Sequence, residues 1–558
     1  MKKIFIYILL IIPNIFIAQQ KKDSVKTEVI EVTRSYTPTV QDAYKLAINP
    51  DSIQVVEKKI PVEYKIQSVP VASTFQPEKG RMSQFQFQPN FDKNFNSYAR
   101  IAFGNYTYLN ADAFLTYPVN EKIDAGFRFS HRSSQGDKDN NLTNPYYRTQ
   151  VNALMSYTQD NSRWNMDLGY LSNIHHLSPN LFIITPSFPI PEEVLYSEKR
   201  SQNVFNFNIK GEFKSLIIKD IRMNFQNFWD PYKNNENILN FNTNLSFPIS
   251  DIQIQTGIKA DLVSGTAYEK YYNGIFKKNY KNLSSGILPS FNYTNDNLDV
   301  KIGFKLFYQN SDADYNKVQF FPDILANFNI VYEKLSLYGA LNGDINQTSY
   351  IRLFNQNPYV VPMKILPELM PMEIYGGIKG AFSSSFSYNI KMGYRQLKNH
   401  PFYMISPTVF NFVPYSVVYD ELKQSFFGAD LNAGIGKRLD FKVHFIYYQN
   451  NPESLPKAYY MPDYVLKSLI LFHPTEKIDI NLSMYNYSNR PDDFGSSLAG
   501  FTDLNLEFKY KINKNFSTFI QANNILNNPY EIYLAYPVEK IQFLGGLLYK
   551  FDFSNKNN

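Results

Sequence analysis

The sequence predicts an all-β fold: a transmembrane antiparallel β-barrel of about 22 strands preceded by a short N-terminal periplasmic or luminal segment. Long stretches alternate apolar and polar residues with period two, the repeat of an extended strand with two chemically different faces. Short polar turns recur between pairs of such stretches, and the connections between successive pairs are often much longer. Short turns at one end and long loops at the other are the asymmetry of outer-membrane barrels, whereas alternation alone also suits a soluble sandwich.

The stretch Ile541–Phe553 is the closing strand. Phe543, Leu547, Tyr549, Phe551 and Phe553 lie on one side of it, and Gln542, Lys550 and Asp552 on the other. A last strand of this kind must pair with both its predecessor and the first strand, because a barrel tolerates no free edge. Gly545 and Gly546 sit in its middle.

Alternation begins at Ser97. Leu109, Ala111, Ala113, Leu115 and Tyr117 share a face; Ile123, Ala125, Phe127 and Phe129 continue it after Pro118–Lys122. Phe205, Phe207 and Ile209 alternate with Asn206, Asn208 and Lys210. Leu504, Leu506, Phe508, Tyr510 and Ile512 alternate with Asp503, Asn505, Glu507, Lys509 and Lys511. Polar turns fall at Pro118–Lys122, Gln159–Ser162, Ser215–Asp220, Pro248–Asp251, Thr294–Asn297, Tyr332–Leu335, Ser383–Ser387, Lys437–Leu439, Pro474–Lys477 and Asn513–Asn515. These turns join strands in pairs; a first strand at Ser97–Gly104 and the last at Ile541–Phe553 bring the total to about 22, an even number as bacterial barrels have. Long connections are expected at Ile174–Glu198, Gln347–Pro367 and His400–Lys423.

Composition agrees with one large β-domain. Among 558 residues there are 43 Tyr and 46 Phe, only 2 Trp and 24 Gly, and no apolar run long enough for a helical span. With no cysteine, a disulfide scaffold, a thiolate metal site and a lipid anchor on cysteine are excluded. The 56 basic and 50 acidic residues are interspersed, which is no nucleic-acid footprint.

Residues 1–18 carry Lys2 and Lys3, an apolar run Ile4–Ile12 and Ala18, the pattern of a secretory leader. Residues 19–96 hold short apolar pieces broken by prolines and form an N-terminal periplasmic or plug-like segment. The barrel occupies 97–553, and 554–558 are a C-terminal tail. An interior built by 22 strands is too wide for side chains to fill, so at least part of Gln19–Tyr98 is expected to enter it, together with inward-folding loops.

The run Asn523-Asn524-Ile525-Leu526-Asn527-Asn528-Pro529-Tyr530, followed by Gly545-Gly546-Leu547-Leu548-Tyr549-Lys550-Phe551, resembles the last two strands of TonB-dependent receptors. The chain as a whole is similar to the shorter receptor-like barrels of Bacteroidota outer membranes. Glu28-Val29-Ile30-Glu31-Val32-Thr33 resembles the TonB box, a strand that would be lent to a partner sheet by β-augmentation. An ordinary local strand is the other reading of those six residues. The family's plug is longer than the roughly 80 residues before the barrel, so the resemblance implies a receptor without a full-length plug.

The function expected is a channel or uptake receptor for an unknown solute, porin-like in the broad sense. A non-transporting accessory barrel in an outer-membrane assembly is the alternative. Partners expected are outer-membrane lipid, the barrel-assembly machinery during insertion, and TonB or another periplasmic protein. No cofactor, metal or catalytic residue is expected. His131, Ser133, Ser134 and Asp137 at the end of the third strand would suit a rim hydrolase, but no second element supplies an orienting group. Asp137-x-Asp139-x-Asn141 and Asp312-x-Asp314-x-Asn316 lack the remainder of a calcium loop. His175 and His176 alone cannot complete a metal site. Tyr350, Phe354, Tyr359 and Pro362, with Phe402, Tyr403, Phe410, Phe412 and Tyr415, make the long loops aromatic; they either capture a ligand or pack on one another over the mouth.

Overall fold

A computed structural model of the chain describes residues 97–136, 145–177, 198–214, 217–249, 252–271, 274–312, 317–361, 365–405 and 415–553. The leader, the N-terminal segment with Glu28–Thr33, the tail, Pro362, Phe410, Phe412, the run Asp137–Asn141 and, of the second calcium-loop-like run, Asp314 and Asn316 lie outside the described residues. Among those described, one antiparallel sheet of 22 strands closes on itself.

In chain order the strands are β1 Ser97–Gly104, β2 Tyr108–Asn120, β3 Ile123–Ser134, β4 Tyr146–Gln159, β5 Ser162–Leu177, β6 Glu198–Phe213, β7 Ile218–Trp229, β8 Asn235–Ile249 and β9 Ile252–Tyr271. There follow β10 Gly274–Thr294, β11 Leu298–Ser311, β12 Lys317–Val331, β13 Leu335–Asn346, β14 Glu368–Ser383, β15 Phe386–Ile405, β16 Tyr415–Ile435, β17 Leu439–Pro452, β18 Tyr464–Thr475 and β19 Ile478–Tyr487. The last wall strands are β22 Phe501–Lys511, β23 Phe516–Asn523 and β26 Gln542–Phe551. Two small hairpins stand outside the wall, β20 Arg490–Pro491 with β21 Ser497–Leu498, and β24 Glu531–Tyr533 with β25 Tyr536–Pro537. Each wall strand pairs with the next in sequence, and β26 pairs with both β23 and β1.

All ten polar segments picked from the sequence join neighbouring strands at one end of the barrel. Several are shaped by a leading asparagine. Asn120 Oδ1 accepts from the amides of Lys122 and Ile123, Asn295 Oδ1 from those of Asn297 and Leu298, and Asn513 Oδ1 from those of Asn515 and Phe516. An Asn side chain in this position closes a tight turn without help from the sheet. The opposite, outer end bears the long loops. The strand pairs β15 and β16 continue to Ile405 and resume at Tyr415, so Phe402 and Tyr403 belong to the wall rather than to the loop expected over His400–Lys423.

The two faces segregate as the alternation requires. Ile101, Phe127, Leu168, Ile258, Ile302, Phe328, Met392 and Leu506 are exposed outward. Near the turn end Tyr117, Tyr293, Tyr332, Phe382, Tyr510 and Tyr549 are exposed in the same sense, which is the aromatic girdle of a membrane barrel. Asp112, Asp261, Asp503, Glu507 and Lys509 are buried on the inner face. The described helix is too short to cross a membrane, and strands make the crossing.

The join between β1 and β26 runs through eight residue pairs, from Ser97 with Phe551 to Gly104 with Leu544. Phe543, Gly545, Leu547 and Tyr549 lie on the outward side of β26; Phe553 follows the strand and meets Tyr117 and Phe551 edge to face. The inward side is occupied differently. Gly546 lies opposite Phe519 of β23, and a side chain there would meet Phe519 Cζ at 2.3 Å and the Ile101 carbonyl at 2.4 Å. The Phe519 ring fills that room. The Arg100 guanidinium lies 4.1 Å from the ring centroid and reaches Glu507 of β22 at 3.2 Å, with Asn481 donating to the same carboxylate. Arg100 and Glu507 are both almost fully buried. One ion pair therefore ties β1 to β22 across β26 and β23.

Breaking a buried pair from one side leaves an uncompensated charge, about 3–5 kcal/mol, while replacing both partners by apolar groups is often neutral. Glu507→Ala is accordingly expected to lower the urea midpoint of the membrane-extracted barrel more than the double variant Arg100→Met/Glu507→Leu. Gly546→Leu is expected to abolish the compact unboiled gel band. Equal midpoints for single and double variants would remove the pair from the closure.

Candidate functional site

The mouth at the outer end is crossed by the connection between β13 and β14. It contains one helix, α1 Tyr350–Gln356, seven residues long. A helix of that length does not hold itself together in water. Its ends are held instead by the barrel.

The N-terminal amides that have no partner within a helix find acceptors here. Ser349 Oγ accepts from the Arg352 amide at 3.1 Å. Glu236, at the outer end of β8, accepts from the amides of Tyr350 at 2.7 Å and Ile351 at 3.1 Å. Tyr280 of β10 donates its hydroxyl to the same carboxylate at 2.8 Å. Glu236 is completely buried, and the Tyr350 ring packs on Phe228 of β7 with centroids 5.2 Å apart. Farther along the connection, Asn282 of β10 donates to the Ile365 carbonyl at 2.9 Å.

The other end of α1 meets the remaining loops. Tyr403 of β15 donates to Gln356 Oε1 at 2.6 Å, and Tyr533 of β24 to the Gln356 carbonyl at 3.1 Å. Val361 and Tyr359 exchange backbone bonds with Tyr415, the first residue of β16. The Tyr415 hydroxyl continues to the Leu534 carbonyl at 3.1 Å, and Tyr359 stacks on Tyr536 with centroids 3.4 Å apart. Asp493 accepts from Tyr460 and from the Ile405 amide, each at 2.7 Å.

Arg490 anchors this assembly from beneath. Its guanidinium donates to the carbonyls of Ile532, Ala499 and Glu531 and lies over Phe501. Burial pulls its pKa down to about 10, which leaves it cationic at neutral pH. Phe501 in turn stacks flat on Tyr530, whose hydroxyl donates to Asp503 at 2.6 Å. Of the aromatic residues singled out from sequence, Tyr350, Phe354, Tyr359, Tyr403 and Tyr415 pack into one cluster over the mouth, while Phe402 packs with Leu397 and Leu422.

These contacts have a direction. The loops involved leave the wall between β13 and β26, so they are covalently rooted on that part of the rim. Among the described residues, side chains of β5, β7, β8 and β10 meet them there: His175 faces Phe354, Phe228 faces Tyr350, and Glu236 and Asn282 bond to the backbone of the β13–β14 connection. The assembly is a flap with its free edge at Glu236, Tyr280 and Asn282.

The other sequence candidates are placed as follows. His131 and Ser133 do meet, Nε2 to Oγ at 3.2 Å, on the outward side of β3. The second ring nitrogen faces Thr149 Oγ1 at 2.8 Å rather than a carboxylate. His175 stacks on Tyr146, while His176 Nδ1 faces the Pro145 carbonyl, so the two rings part. No group of three His, Asp or Glu that would hold a metal occurs among the described residues. Glu236 and Arg490 were missed from sequence: each is a single charge whose partners lie about a hundred or several tens of residues away.

Glu236→Ala strands two backbone amides and a hydroxyl, each costing about 1–3 kcal/mol when buried without a partner. The variant is expected to be cleaved within residues 348–366 by protease added outside intact cells, at least several times faster than the parent, with the compact unboiled gel band retained. Unchanged cleavage would show that this carboxylate does not hold the flap.

No protein-family model matches the sequence, nor does any curated protein. Solved structures do match. The ferric-catecholate import receptor Fiu from K12 E. coli has a TM-score of 0.61 at 9% identity, over 83% of this chain and 83% of that one. The siderophore receptor PirA from Acinetobacter baumannii gives 0.62 at 10% identity, over 83% and 82%. The copper transporter OprC gives 0.59 at 10% identity, over 83% and 82%. At these identities the likeness is one of fold: the chain has the closed barrel of these import proteins.

Proposed function

We propose that this chain is an outer-membrane import receptor for an unknown solute, in which the flap over the mouth is the element that moves. The observation that carries the reading is the flap's one-sided attachment above a polar interior. A loop assembly rooted on part of a rim and latched by hydrogen bonds to the rest is a built two-position element. The barrel fold shared with import receptors supports the same reading.

In this reading residues 1–18 direct export, the barrel-assembly machinery inserts the wall, and outer-membrane lipid surrounds its apolar face. Glu28–Thr33 would be the strand offered to TonB, coupling the inner side to an energised partner. A second reading rests on a different observation. The flap tyrosines are spent on one another, while Phe494 and Leu526 at loop tips are exposed. Apolar tips of that kind suit docking to another protein, as an accessory barrel in an outer-membrane assembly would need.

The test replaces residues 348–366 by a short Gly-Ser linker in a chain that also lacks residues 19–88, and measures planar-bilayer conductance against a parent with the same N-terminal deletion. An import receptor gated here is expected to conduct at least an order of magnitude more than the parent, since a 22-strand lumen is wide. Deleting Glu28–Thr33 from the full chain is expected to abolish solute-dependent growth while leaving membrane levels unchanged. Unchanged low conductance, with a barrel partner co-purifying through Phe494 and Leu526, would favour the accessory reading.

A further inference from the structure

The free edge of the flap covers one particular wall, and that wall has an unusual lining. Alternation in β6, β7 and β8 places phenylalanine and other apolar residues outward and amides inward: Asn206 and Asn208, Asn224 and Gln226, Asn240 and Asn242. One row runs across the inner face from strand to strand in register. Asn208 pairs with Asn224, Asn224 with Asn240, Asn240 with Asp261, Asp261 with Ser284 and Ser284 with Gln309. The row thus spans β6 to β11 just inside the latch.

Its chemistry is neutral. Asp261 accepts from Asn240 at 2.8 Å and from Lys259 at 3.1 Å, so its charge is balanced. The next row toward the turn end carries Lys210 and Arg222, paired with Glu212 and Asp220. Gly169 lets the row extend onto β5: the amides of Asn206 and Asn152 fill the space a side chain there would take, at 2.3 and 2.5 Å.

Two polar atoms in the row have no partner. Ser284 Oγ and Gln309 Oε1 are enclosed without a hydrogen bond, in residues 0% and 1% exposed. Enclosed polar atoms are nearly always bonded, so these two call for a water or a solute hydroxyl as partner. Asn208, Asn224 and Asn240 are only half-buried; Asn224 donates to Asn208 and Asn240 to Asp261, so the row is a hydrogen-bonded ladder.

We infer that this amide-lined wall is the binding track of a neutral, polyhydroxylated solute. An amide side chain offers one acceptor oxygen and two donor hydrogens, which suits hydroxyl groups that both give and take a hydrogen bond. A carboxylate or phosphate would find no unbalanced cation in the row, and a cation no unbalanced carboxylate. The inference rests on the import reading for its biological use, and its binding step is testable without transport.

The probe is raffinose, with gluconate and lysine as anionic and cationic controls at the same millimolar concentrations. Melting of the detergent-purified full chain and of the chain with the 348–366 linker is followed by intrinsic fluorescence. Raffinose is expected to raise the melting temperature of the linker variant with a saturable concentration dependence, and gluconate and lysine are not. Asn224→Leu/Asn240→Leu is expected to remove that rise, and Ser284→Ala, which needs no refolding of the wall, to weaken it severalfold. A rise of equal size in parent row and substituted row would be a general effect of sugar on the solvent and would overturn the track. So would saturation by gluconate or lysine, or no rise with any probe. Low conductance of the linker variant combined with saturable raffinose binding would instead count against the import reading and leave the track standing.

Discussion

Everything in this molecule depends on the fact that lipid offers no hydrogen bonds. A strand crossing the bilayer must satisfy every backbone amide and carbonyl through its neighbours, so the sheet either closes or does not enter. Closure is what gives β26 its two partners and what makes the inner join worth an ion pair. The same constraint fixes the sequence pattern, because a wall with lipid on one side and a polar interior on the other admits only alternation.

That is why the wall was legible from residues alone. Leu504 to Ile512 and their polar alternates assign both faces of β22 without reference to any other strand, and Asn120, Asn295 and Asn513 announce turns by local chemistry. Strand limits were less legible at the outer end, where hairpins such as β15 and β16 continue past the lipid and the alternation no longer has a solvent to report. Phe402 and Tyr403 read as loop residues for that reason.

The site was legible in part. The sequence showed that the loops are aromatic, and the packing of Tyr359, Tyr403, Tyr415 and Tyr533 answers whether those rings face outward or one another. It did not show the latch, since Glu236 acts on amides 114 and 115 positions away. The amide wall lay in plain view as Asn-x-Asn runs, but inward asparagines are ordinary in any polar lumen. Only register, which sets Asn208, Asn224 and Asn240 side by side, turns them into one surface. His131 and Ser133 are the converse case. Their contact follows from two-residue spacing on one strand and brings no acid with it.

The Arg100–Glu507 tie bears on the route that matter can take. A wall that parted between β1 and β26 would drag a guanidinium and a carboxylate from each other while exposing two ladders of backbone groups to hydrocarbon. The seam is therefore a weld and not a side door. The polar interior that the wall encloses is thereby kept apart from the lipid around it.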